Sequence, residues 1–448
     1  MLTPPRPSYR LSVFFVTGLL LSALLSVGLD QASRAALRPV EQVATLSEAV
    51  RHEPLAPRAL TPFDREAAEV AWRYFEGNTR PETGYVDSVA GFPSTTLWDQ
   101  GGYLLALLSA QKLGIISAAE FDDRVEAFLT ATKRLPLFEG RLPNKVYDTR
   151  TLAMVNYANE PVAGGIGWSA LDAARFILAL RVLEKQAPHH GATIRDLMAA
   201  WDLEALARKG RLIGRTREAG TTATEQEGRV GYEQYAARAT ALWGLDTALA
   251  MSGAPILDWR RIGPVDVPVD RRDHSTFQAI TPTLSEPWLL DGLELGLTRE
   301  SMVLADRVYR AQEARFEETG LPTMVSEDHI NQAPHFLYNS VFSNGRDWAV
   351  VTEDGTRHEA LRTISTKAAF GWEALYGTDY ADEVRRTLFE PDDLADGWPA
   401  GRFEVDGTAN DILTLNTNAV ILEAIHYKAF GPLWSTRPVS AEAGFGER

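Results

Sequence analysis

The chain has 448 residues, of which 45% are hydrophobic, enough for a large core in one helical toroid or in more than one average domain. Its formal net charge of −15 and the lack of any lysine and arginine cluster argue against nucleic acid or an anionic membrane surface as a partner. Because the chain has no cysteine, disulfides, thiol catalysis and cysteine-ligated metals are excluded.

An uncharged apolar segment, residues 11–29, follows Arg6 and Arg10. At about 1.5 Å per residue it just spans a hydrocarbon core of about 30 Å, and the two arginines place the N-terminus in the cytoplasm. We predict an inner-membrane anchor, with a signal peptide cleaved near residues 26–28 as the alternative. Both interpretations export the rest of the chain.

The sequence divides into four regions. We predict an anchor or signal segment at 1–30, a linker at 31–62, a single body at 63–435 and a tail at 436–448. The linker prediction rests on residues 30–60, which mix Ala, Arg, Glu and Pro with no sustained periodicity.

The body contains six stretches with a common plan, in which polar or aromatic residues lead into a run rich in Ala, Leu and Gly. They begin at residues 97, 167, 231, 285, 365 and 414. Amphipathic helices are predicted before five of them, at 64–77, 117–134, 191–208, 299–318 and 378–389. Residues 253–284 are instead rich in Pro and Arg and show no helix.

This alternation predicts two concentric rings of helices. A helix that is apolar all round is buried on both sides, whereas a helix with one apolar stripe lies at a surface. Runs of Val and Ile that would indicate a parallel sheet are few. The predicted fold is therefore an all-α (α/α)6 toroid of about twelve helices.

In such a double ring the inner helices run in the same direction, and their N-terminal ends meet at one mouth. The first stretch, LWDQGGYLLALLSAQKLG, opens with Trp98, Asp99 and Gln100, which we place at the mouth. Gly101 and Gly102 each cost about 1 kcal/mol in a helix relative to Ala. They are tolerable where a backbone or a ligand must approach closely.

The predicted mouth combines carboxylates with aromatic rings, which suits a neutral sugar. Glycoside hydrolysis needs one protonated and one ionised carboxyl group on either side of the scissile bond. Glu233 is our candidate acid because Tyr232 and Tyr235 beside it can raise its pKa. Asp99 or Glu327 is the candidate base. The alternative interpretation of Asp99 is a structural role as a helix cap.

Candidate substrate-binding residues share a position before or at the start of an inner helix. They are Trp98, Gln100, Tyr147, Asp148, Trp168, Tyr232, Glu286, Asp328, His329, Trp372, Arg402, Glu404, Asn416 and Asn418. For several of them a structural role explains the residue equally well, such as an Asp148–Arg150 ion pair or helix capping by the asparagines.

Other motifs favour neither a cofactor nor a metal. GGIGWSA resembles a dinucleotide loop, but no apolar strand precedes it. No HEXXH or G-x-S-x-G motif is present. The histidines are scattered, apart from the pair His189–His190 in a polar turn. We therefore predict no metal site, no cofactor and no specific protein partner.

Seven motifs together resemble a bacterial envelope family designated domain of unknown function three-one-three-one. They are LWDQGGYLLAL, LPNKVYD, GWSALDAAR, EGRVGYEQYA, VSEDHI, STKAAFGW and AGRFE with LTLNTNAVILEA, and they extend over roughly residues 63–430. The family resembles, more distantly, glucoamylase-like toroids acting on β-1,2-glucans. The resemblance implies an (α/α)6 fold and a glycan substrate, but it gives no catalytic pair. With the N-terminal segment we expect a bacterial periplasmic location.

The main functional prediction is a glycoside hydrolase or transglycosylase acting on an envelope β-glucan. One alternative is a non-catalytic glycan-binding or scaffold protein. A less favoured alternative is a polysaccharide lyase, in which cations such as Lys145, Arg150, Lys367 and Arg402 would face uronate carboxylates; the acidic net charge argues against it.

Overall fold

The computed structural model describes residues 50–434, except residues 219 and 278. The predicted anchor at 11–29, most of the predicted linker and the predicted tail lie outside this range and stay predictions. Among the residues described, no helix has the length and apolarity required to cross a bilayer.

Twelve α-helices are described. They are α1 (Pro62–Asn78), α2 (Leu97–Lys112), α3 (Ala118–Thr132), α4 (Ala170–Gln186), α5 (Gly191–Ala199), α6 (Tyr232–Ala241), α7 (His274–Phe277), α8 (Glu286–Leu290), α9 (Arg299–Thr319), α10 (Thr366–Tyr376), α11 (Asp379–Arg386) and α12 (Leu415–Phe430). A π-helical turn, Asp291–Leu295, extends α8.

Six of these helices form the predicted inner ring. α2 packs on α4, α4 on α6, α6 on α8, α8 on α10 and α10 on α12, and α12 closes the ring on α2. The first stretch shows why: every residue from Tyr103 to Leu108 is at most 2% exposed. A helix with no polar face can lie only between other elements, so the six stretches are confirmed as the inner ring.

The outer layer contains α1, α3, α5, α9 and α11. Four of them lie close to the predicted spans, but the predicted helix 191–208 ends at Ala199 and is followed by a 3₁₀ turn and a strand. Each outer helix has one buried face, as in α3, where Phe121, Val125, Phe128 and Leu129 are buried at helical spacing. Residues 253–284 supply a β-hairpin in place of a fourth outer helix, and its second strand packs on α9. The expectation of no helix in this region is wrong for the four residues of α7. Val265, Val267 and Val269 are buried there.

The all-α prediction is wrong in one respect, because antiparallel strands lie in the connections between the helices. They are β1 (Ser94–Thr96), β2 (Leu137–Phe138), β3 (Leu142–Pro143), β4 (Val146–Asp148), β5 (Gly167–Trp168), β6 (Ala207–Arg208), β7 (Arg211–Glu218), β8 (Thr221–Gln226), β9 (Leu257–Ile262), β10 (Val265–Asp270), β11 (Glu327–His329), β12 (Phe336–Asn339), β13 (Phe342–Ser343), β14 (Arg346–Asp347), β15 (Val350–Val351), β16 (Thr363–Ser365), β17 (Pro399–Phe403) and β18 (Ala409–Leu413).

These strands brace the loops that lead into the inner helices. β1, β5, β16 and β18 end within two residues of the start of α2, α4, α10 and α12 respectively. β1 pairs with β4, β5 with β7, and β16, β17 and β18 form one sheet. Pairing satisfies the backbone groups of long loops that would otherwise be buried without partners. Strands of two or three residues carry no readable periodicity, so the sequence did not reveal them.

The two glycines near the start of α2 are explained by packing. A Cβ at Gly101 would lie 3.0 Å from the backbone carbon of Arg175 and from the nitrogen of Phe176 in α4. A Cβ at Gly102 would lie 3.4 Å from the guanidinium of Arg175. The close approach expected from the Gly-Gly pair is therefore made by the neighbouring helix.

The opposite end of the ring holds the start of the described chain. The backbone nitrogen of Leu55 donates to the carbonyl of Leu375 at 2.8 Å, and that of Arg58 donates to the carbonyl of Lys428 at 2.6 Å. Residues 50–61 thus contact the C-terminal ends of α10 and α12, away from the mouth.

Candidate active site

Each inner helix places a polar side chain within its first three residues. These side chains are Asp99, Asp172, Tyr232, Glu286, Lys367 and Asn416. Because the inner helices share one direction, their N-terminal ends meet, and the positive ends of their dipoles favour carboxylates there. We call Asp99, Asp172, Glu286, Glu327 and Lys367 the mouth cluster.

Glu286 lies at the centre of the mouth cluster and is 1% exposed. Its carboxylate pairs with the ammonium of Lys367 and accepts from Asn416 Nδ2 at 2.9 Å and from Ser326 Oγ at 3.5 Å. Burial alone would favour the neutral acid, but Lys367 and these donors outweigh it and lower the pKa of Glu286. Glu286 is therefore ionised and fixed in place.

Lys367 joins Glu286 to the loop that carries Glu327 and Asp328. Its Nζ donates to the carbonyl oxygen of Glu327 at 2.6 Å and lies 3.4 Å from Asp328 Oδ1. Burial raises the pKa of Asp328 to about 6, although Lys367 opposes the shift. Burial also lowers the pKa of His329 to about 4, so that its imidazole is neutral at pH 7.

Glu327 is held by an arginine and a tyrosine. Its carboxylate accepts from Tyr232 Oη at 2.5 Å and from Arg229 Nη2 at 2.7 Å. Burial raises the pKa of Glu327, Glu286 adds to the rise and Arg229 opposes it. Both carboxylate oxygens of Glu327 are thus engaged, one by each partner.

Trp98 provides an aromatic surface beside these groups. The rings of Tyr232 and Tyr235 stand edge-on to it, with centroids 5.5 and 5.9 Å away. The guanidinium of Arg175 lies 4.9 Å from the ring centroid. Trp98 is only partly buried, so part of its surface is open at the mouth.

Asp99 keeps one carboxylate oxygen free. Oδ2 accepts from Ser88 Oγ at 2.5 Å and from Thr96 Oγ1 at 3.0 Å, while Thr96 also caps the helix through the Asp99 backbone nitrogen. Within the described residues Oδ1 accepts no hydrogen bond. Burial raises the pKa of Asp99, partly offset by the two hydroxyls and by Arg175.

Asp172 occupies the same position in α4 that Asp99 occupies in α2, and our sequence analysis missed it. Burial raises its pKa to about 7; Glu227 and Asp99 add to the rise, while Ser169 and Lys145 oppose it. The signal was available, because T-L-W-D at 96–99 and S-A-L-D at 169–172 share one capping pattern. Trp168 is the only residue of this motif that we predicted from sequence as a binding residue.

Glu227, also missed, holds the start of α4 and acts on Asp172. Its Oε1 accepts from Ser169 Oγ at 2.6 Å and its Oε2 accepts from the backbone nitrogen of Ala170 at 2.5 Å. Burial raises the pKa of Glu227, and these donors limit the rise. Two nearby carboxyl groups with different surroundings are the usual arrangement for separating an acid from a base.

Glu233 points away from the mouth cluster. Its carboxylate accepts from Gln226 Nε2 at 3.2 Å and from Arg272 Nη2 at 2.9 Å, and Arg272 also binds Asp270 at 2.6 Å. Burial raises the pKa of Glu233 and Arg272 opposes the rise. Tyr232 and Tyr235 face Trp98 instead, so the acid role of Glu233 stays a prediction that this geometry does not favour.

Several predicted binding residues have their polar atoms committed to structural contacts. Trp168 donates to the Ile213 carbonyl at 3.0 Å, and Trp372 donates to Ser285 Oγ at 2.9 Å. Tyr147, Gln100 and Arg402 donate to the backbone carbonyls of Pro136, Val86 and Leu388 respectively, each at 2.7 Å. Asn418 accepts from the Trp398 backbone nitrogen at 2.8 Å. These residues shape the walls of the ring.

Asp148 and Glu404 are held in ion pairs. Arg150 approaches Asp148 to 2.6 Å and, despite some burial, the surrounding donors lower the pKa of Asp148 to about 2. Arg315 binds Glu404 in a bidentate pair at 2.6 and 2.9 Å. The binding role of Glu404 stays a prediction, and in this structure its carboxylate is matched to an arginine of α9.

A second charged group lies inside the ring, and we call Arg175, Tyr235, Glu294 and Glu423 the ring centre. Arg175 contacts Glu294 at 3.1 Å and Glu423 at 3.0 Å, and Tyr235 Oη donates to Glu294 at 2.5 Å. Arg175 and both glutamates are 0% exposed. Burial and the charge of Glu294 raise the pKa of Glu423 far above its usual range, so Glu423 is a neutral acid.

Asn416 connects the ring centre to the mouth cluster. Its Oδ1 accepts from Arg175 at 3.0 Å while its Nδ2 donates to Glu286 at 2.9 Å. Asn416 is thus oriented by charged partners on both sides.

The chain belongs to the family described as Protein of unknown function (DUF3131), whose model matches residues 66–431. No curated protein matches the sequence. The resemblance seen in the motifs is therefore confirmed.

Solved structures show the same architecture. The chain is similar to an endo-β-1,2-glucanase from Chitinophaga pinensis, in complex with sophorotriose and glucose, at a TM-score of 0.58 and 13% identity, with 84% of this chain and 94% of that chain covered. It is also similar to an endo-β-1,2-glucanase from Talaromyces funiculosus, in complex with sophorose, at a TM-score of 0.56 and 12% identity, with 82% and 84% covered. Likenesses at these identities show a glycoside-hydrolase-like toroid fold.

Proposed function

We propose that this protein is a glycoside hydrolase or transglycosylase that acts on a β-glucan in the mouth of the ring. One observation carries the proposal: a carboxyl group with a pKa of about 7, Asp172, lies at the mouth together with Glu286, which Lys367 holds ionised. Such a difference between neighbouring carboxyl groups is what acid and base catalysis of glycosidic bond cleavage requires.

In this proposal Asp172 is the proton donor and Asp99 is the base. As the bond between the anomeric carbon and the glycosidic oxygen breaks, Asp172 gives its proton to that oxygen. Asp99 accepts a proton from the incoming water or sugar hydroxyl on its free Oδ1. Glu227 is a positioning residue, because its charge keeps Asp172 protonated and its hydrogen bonds hold the start of α4.

Glu327 is the other base considered from sequence. Tyr232 and Arg229 engage both of its oxygens, so neither oxygen is left open to a water or a sugar hydroxyl. We assign Glu327 to orienting Tyr232 at the edge of the Trp98 ring. This arrangement leaves Asp99 as the favoured base.

The substrate class follows from the surface of the mouth and from the fold. Trp98 offers the open part of its ring to sugar C–H groups, and carboxylates and Asn416 offer hydrogen bonds to hydroxyls. A β-1,2-glucan is the first substrate to test, since structural neighbours are glucanases for that linkage. An envelope glucan would be in reach if residues 11–29 anchor the chain in the inner membrane.

The cations considered for a lyase already have partners. Lys367 is paired with Glu286, Arg150 with Asp148, and Arg402 with backbone carbonyls. Lys145 donates to Thr216 Oγ1 at 2.8 Å. This pairing supports hydrolysis over β-elimination, which would need cations available to a uronate.

The test is product analysis on β-1,2-glucan and a panel of β-1,3-, β-1,4- and β-1,6-glucans. We expect shorter or transferred glucan chains with the wild type and at least about a 100-fold slower reaction with Asp172→Asn. Asp196→Asn, on the exposed side of α5, is the matched control and should retain the wild-type rate.

Three outcomes contradict parts of this proposal. Binding without turnover across the panel would favour the glycan-binding alternative. An unsaturated, ultraviolet-absorbing product would favour a lyase. Cleavage that Glu233→Gln abolishes and Asp172→Asn leaves unchanged would restore the acid predicted from sequence.

A further inference from the structure

Two histidines and an aspartate meet on the outer layer of the ring. Asp122 lies in α3, and His189 and His190 form the 3₁₀ turn Pro188–His190 that precedes α5. Nε2 of His189 lies 2.8 Å from Asp122 Oδ1, and Nε2 of His190 lies 3.0 Å from the same oxygen. All three ligand atoms lie within 4.8 Å of one another.

The histidine rings are held as a pair. Their centroids are 4.1 Å apart with planes 44° apart, so the tight turn directs both Nε2 atoms to one point. His190 is 5% exposed and fixed by the fold, whereas the side chains of His189 and Asp122 are 58% and 41% exposed and accessible to an ion from solvent. The cluster therefore combines a fixed ligand with two accessible ligands.

We propose that Asp122, His189 and His190 bind a divalent transition-metal ion of the zinc class. Two imidazole nitrogens and one carboxylate oxygen are a donor set that Zn²⁺ prefers, and three protein ligands leave a position for water. Binding requires the neutral tautomers with protons on Nδ1, so that both Nε2 lone pairs and the carboxylate face the ion. The ion would join α3 to the start of α5.

Sequence reasoning predicted no metal site, and this proposal departs from it. Asp122 lies 67 residues before His189 in the chain, so no ligand spacing of the usual kind marks the cluster. The alternative interpretation is that two histidines donate hydrogen bonds to one carboxylate. The two interpretations differ in whether a metal ion replaces the protons on the two Nε2 atoms.

The experiment is equilibrium dialysis and calorimetric titration of the untagged full chain with Zn²⁺. We expect one ion per chain, and an affinity at least about tenfold lower in Asp122→Asn and in His189→Asn, because loss of even outer-shell partners commonly weakens metal binding this much. Both residues are exposed, so the variants should keep the wild-type circular dichroism spectrum. His358→Asn, outside the cluster, is the matched control.

Co²⁺ substitution gives a second measurement. Binding should produce visible d–d absorption typical of a four- or five-coordinate ion, and Asp122→Asn should lose it. The proposal is overturned if the wild type binds no stoichiometric Zn²⁺, or if Asp122→Asn, His189→Asn and His358→Asn bind it alike. Neither outcome bears on glucan cleavage, which depends on the mouth.

Discussion

The mouth cluster and the ring centre use the same kinds of side chain for different purposes. In the ring centre, Arg175, Glu294 and Glu423 are 0% exposed and bound to one another. In the mouth cluster, Asp99 has a carboxylate oxygen without a partner in the described residues, and Asp172 has a pKa near neutrality. The fully buried ion pair of Arg175 and Glu294 holds helices together, whereas carboxyl groups that are partly exposed at the mouth can contact a ligand.

The two regions are also connected. Asn416 accepts from Arg175 and donates to Glu286, so the position of the mouth carboxylate depends on the buried arginine. The difference teaches that carboxylate content alone does not locate a catalytic site in this ring. What separates the regions is the accessible surface, because Asp99 and Asp172 are partly exposed and the ring-centre charges are not.

The largest expected effect on activity is at Asp99. Asp99→Asn keeps acceptor capacity for Ser88 and Thr96 but removes the base, so we expect glucan cleavage to fall by about 10²- to 10⁴-fold. The melting temperature should change little. A rate within a few-fold of the wild type would show that the free oxygen is not the base.

Arg175→Met should instead act on stability. It leaves Glu294 buried without its cation, and breaking a buried ion pair in this way commonly costs about 3–5 kcal/mol. Urea unfolding of the folded variant measures the loss. If the free energy of unfolding is unchanged, the ring centre does not stabilise the fold and the comparison fails.

Asp172 should make stability depend on pH. Its folded pKa of about 7 lies above its ordinary value of 3.8, so its favourable contribution is complete below about pH 4 and is lost as pH rises through 7. At about 1.4 kcal/mol per pKa unit, Asp172→Asn should gain on the order of 4 kcal/mol relative to the wild type between pH 4 and pH 8. Parallel stability curves for the two proteins would contradict the raised pKa.

The smallest effect is expected at Glu423. Because this group is already a neutral acid, Glu423→Gln retains a donor toward Glu294 and should change the free energy of unfolding by less than about 1 kcal/mol. Glu423→Ala, which also leaves a cavity, is the comparison variant. Equal losses in the two variants would mean that Glu423 is charged.

The sequence predicted the ring well because burial leaves a strong periodic signal. The predicted start of each inner helix lies within a few residues of the observed start. The predicted outer spans 64–77 and 299–318 agree closely with α1 and α9. The strands were missed because most have two or three residues and are defined by partners distant in the chain. The hairpin of β9 and β10 was only visible as the absence of a helix.

The candidate site was predicted in part, because the sequence indicates where a residue lies on a helix but not where its side chain points. Trp98, Tyr232 and Glu286 were placed at the mouth from their positions and the structure brings them there. Glu233 is adjacent to Tyr232, but its side chain binds Arg272. This contact joins residues that are 39 positions apart in the chain, so the sequence does not indicate it. Comparing equivalent positions of α2 and α4 would have found Asp172.

The most direct test of the central claim is the pH dependence of kcat/KM for the glucan that the protein cleaves. If Asp172 is the proton donor, kcat/KM should fall tenfold per pH unit above about 7. A rate that stays constant from pH 6 to pH 9 in the folded enzyme would contradict the assignment of Asp172 as the acid.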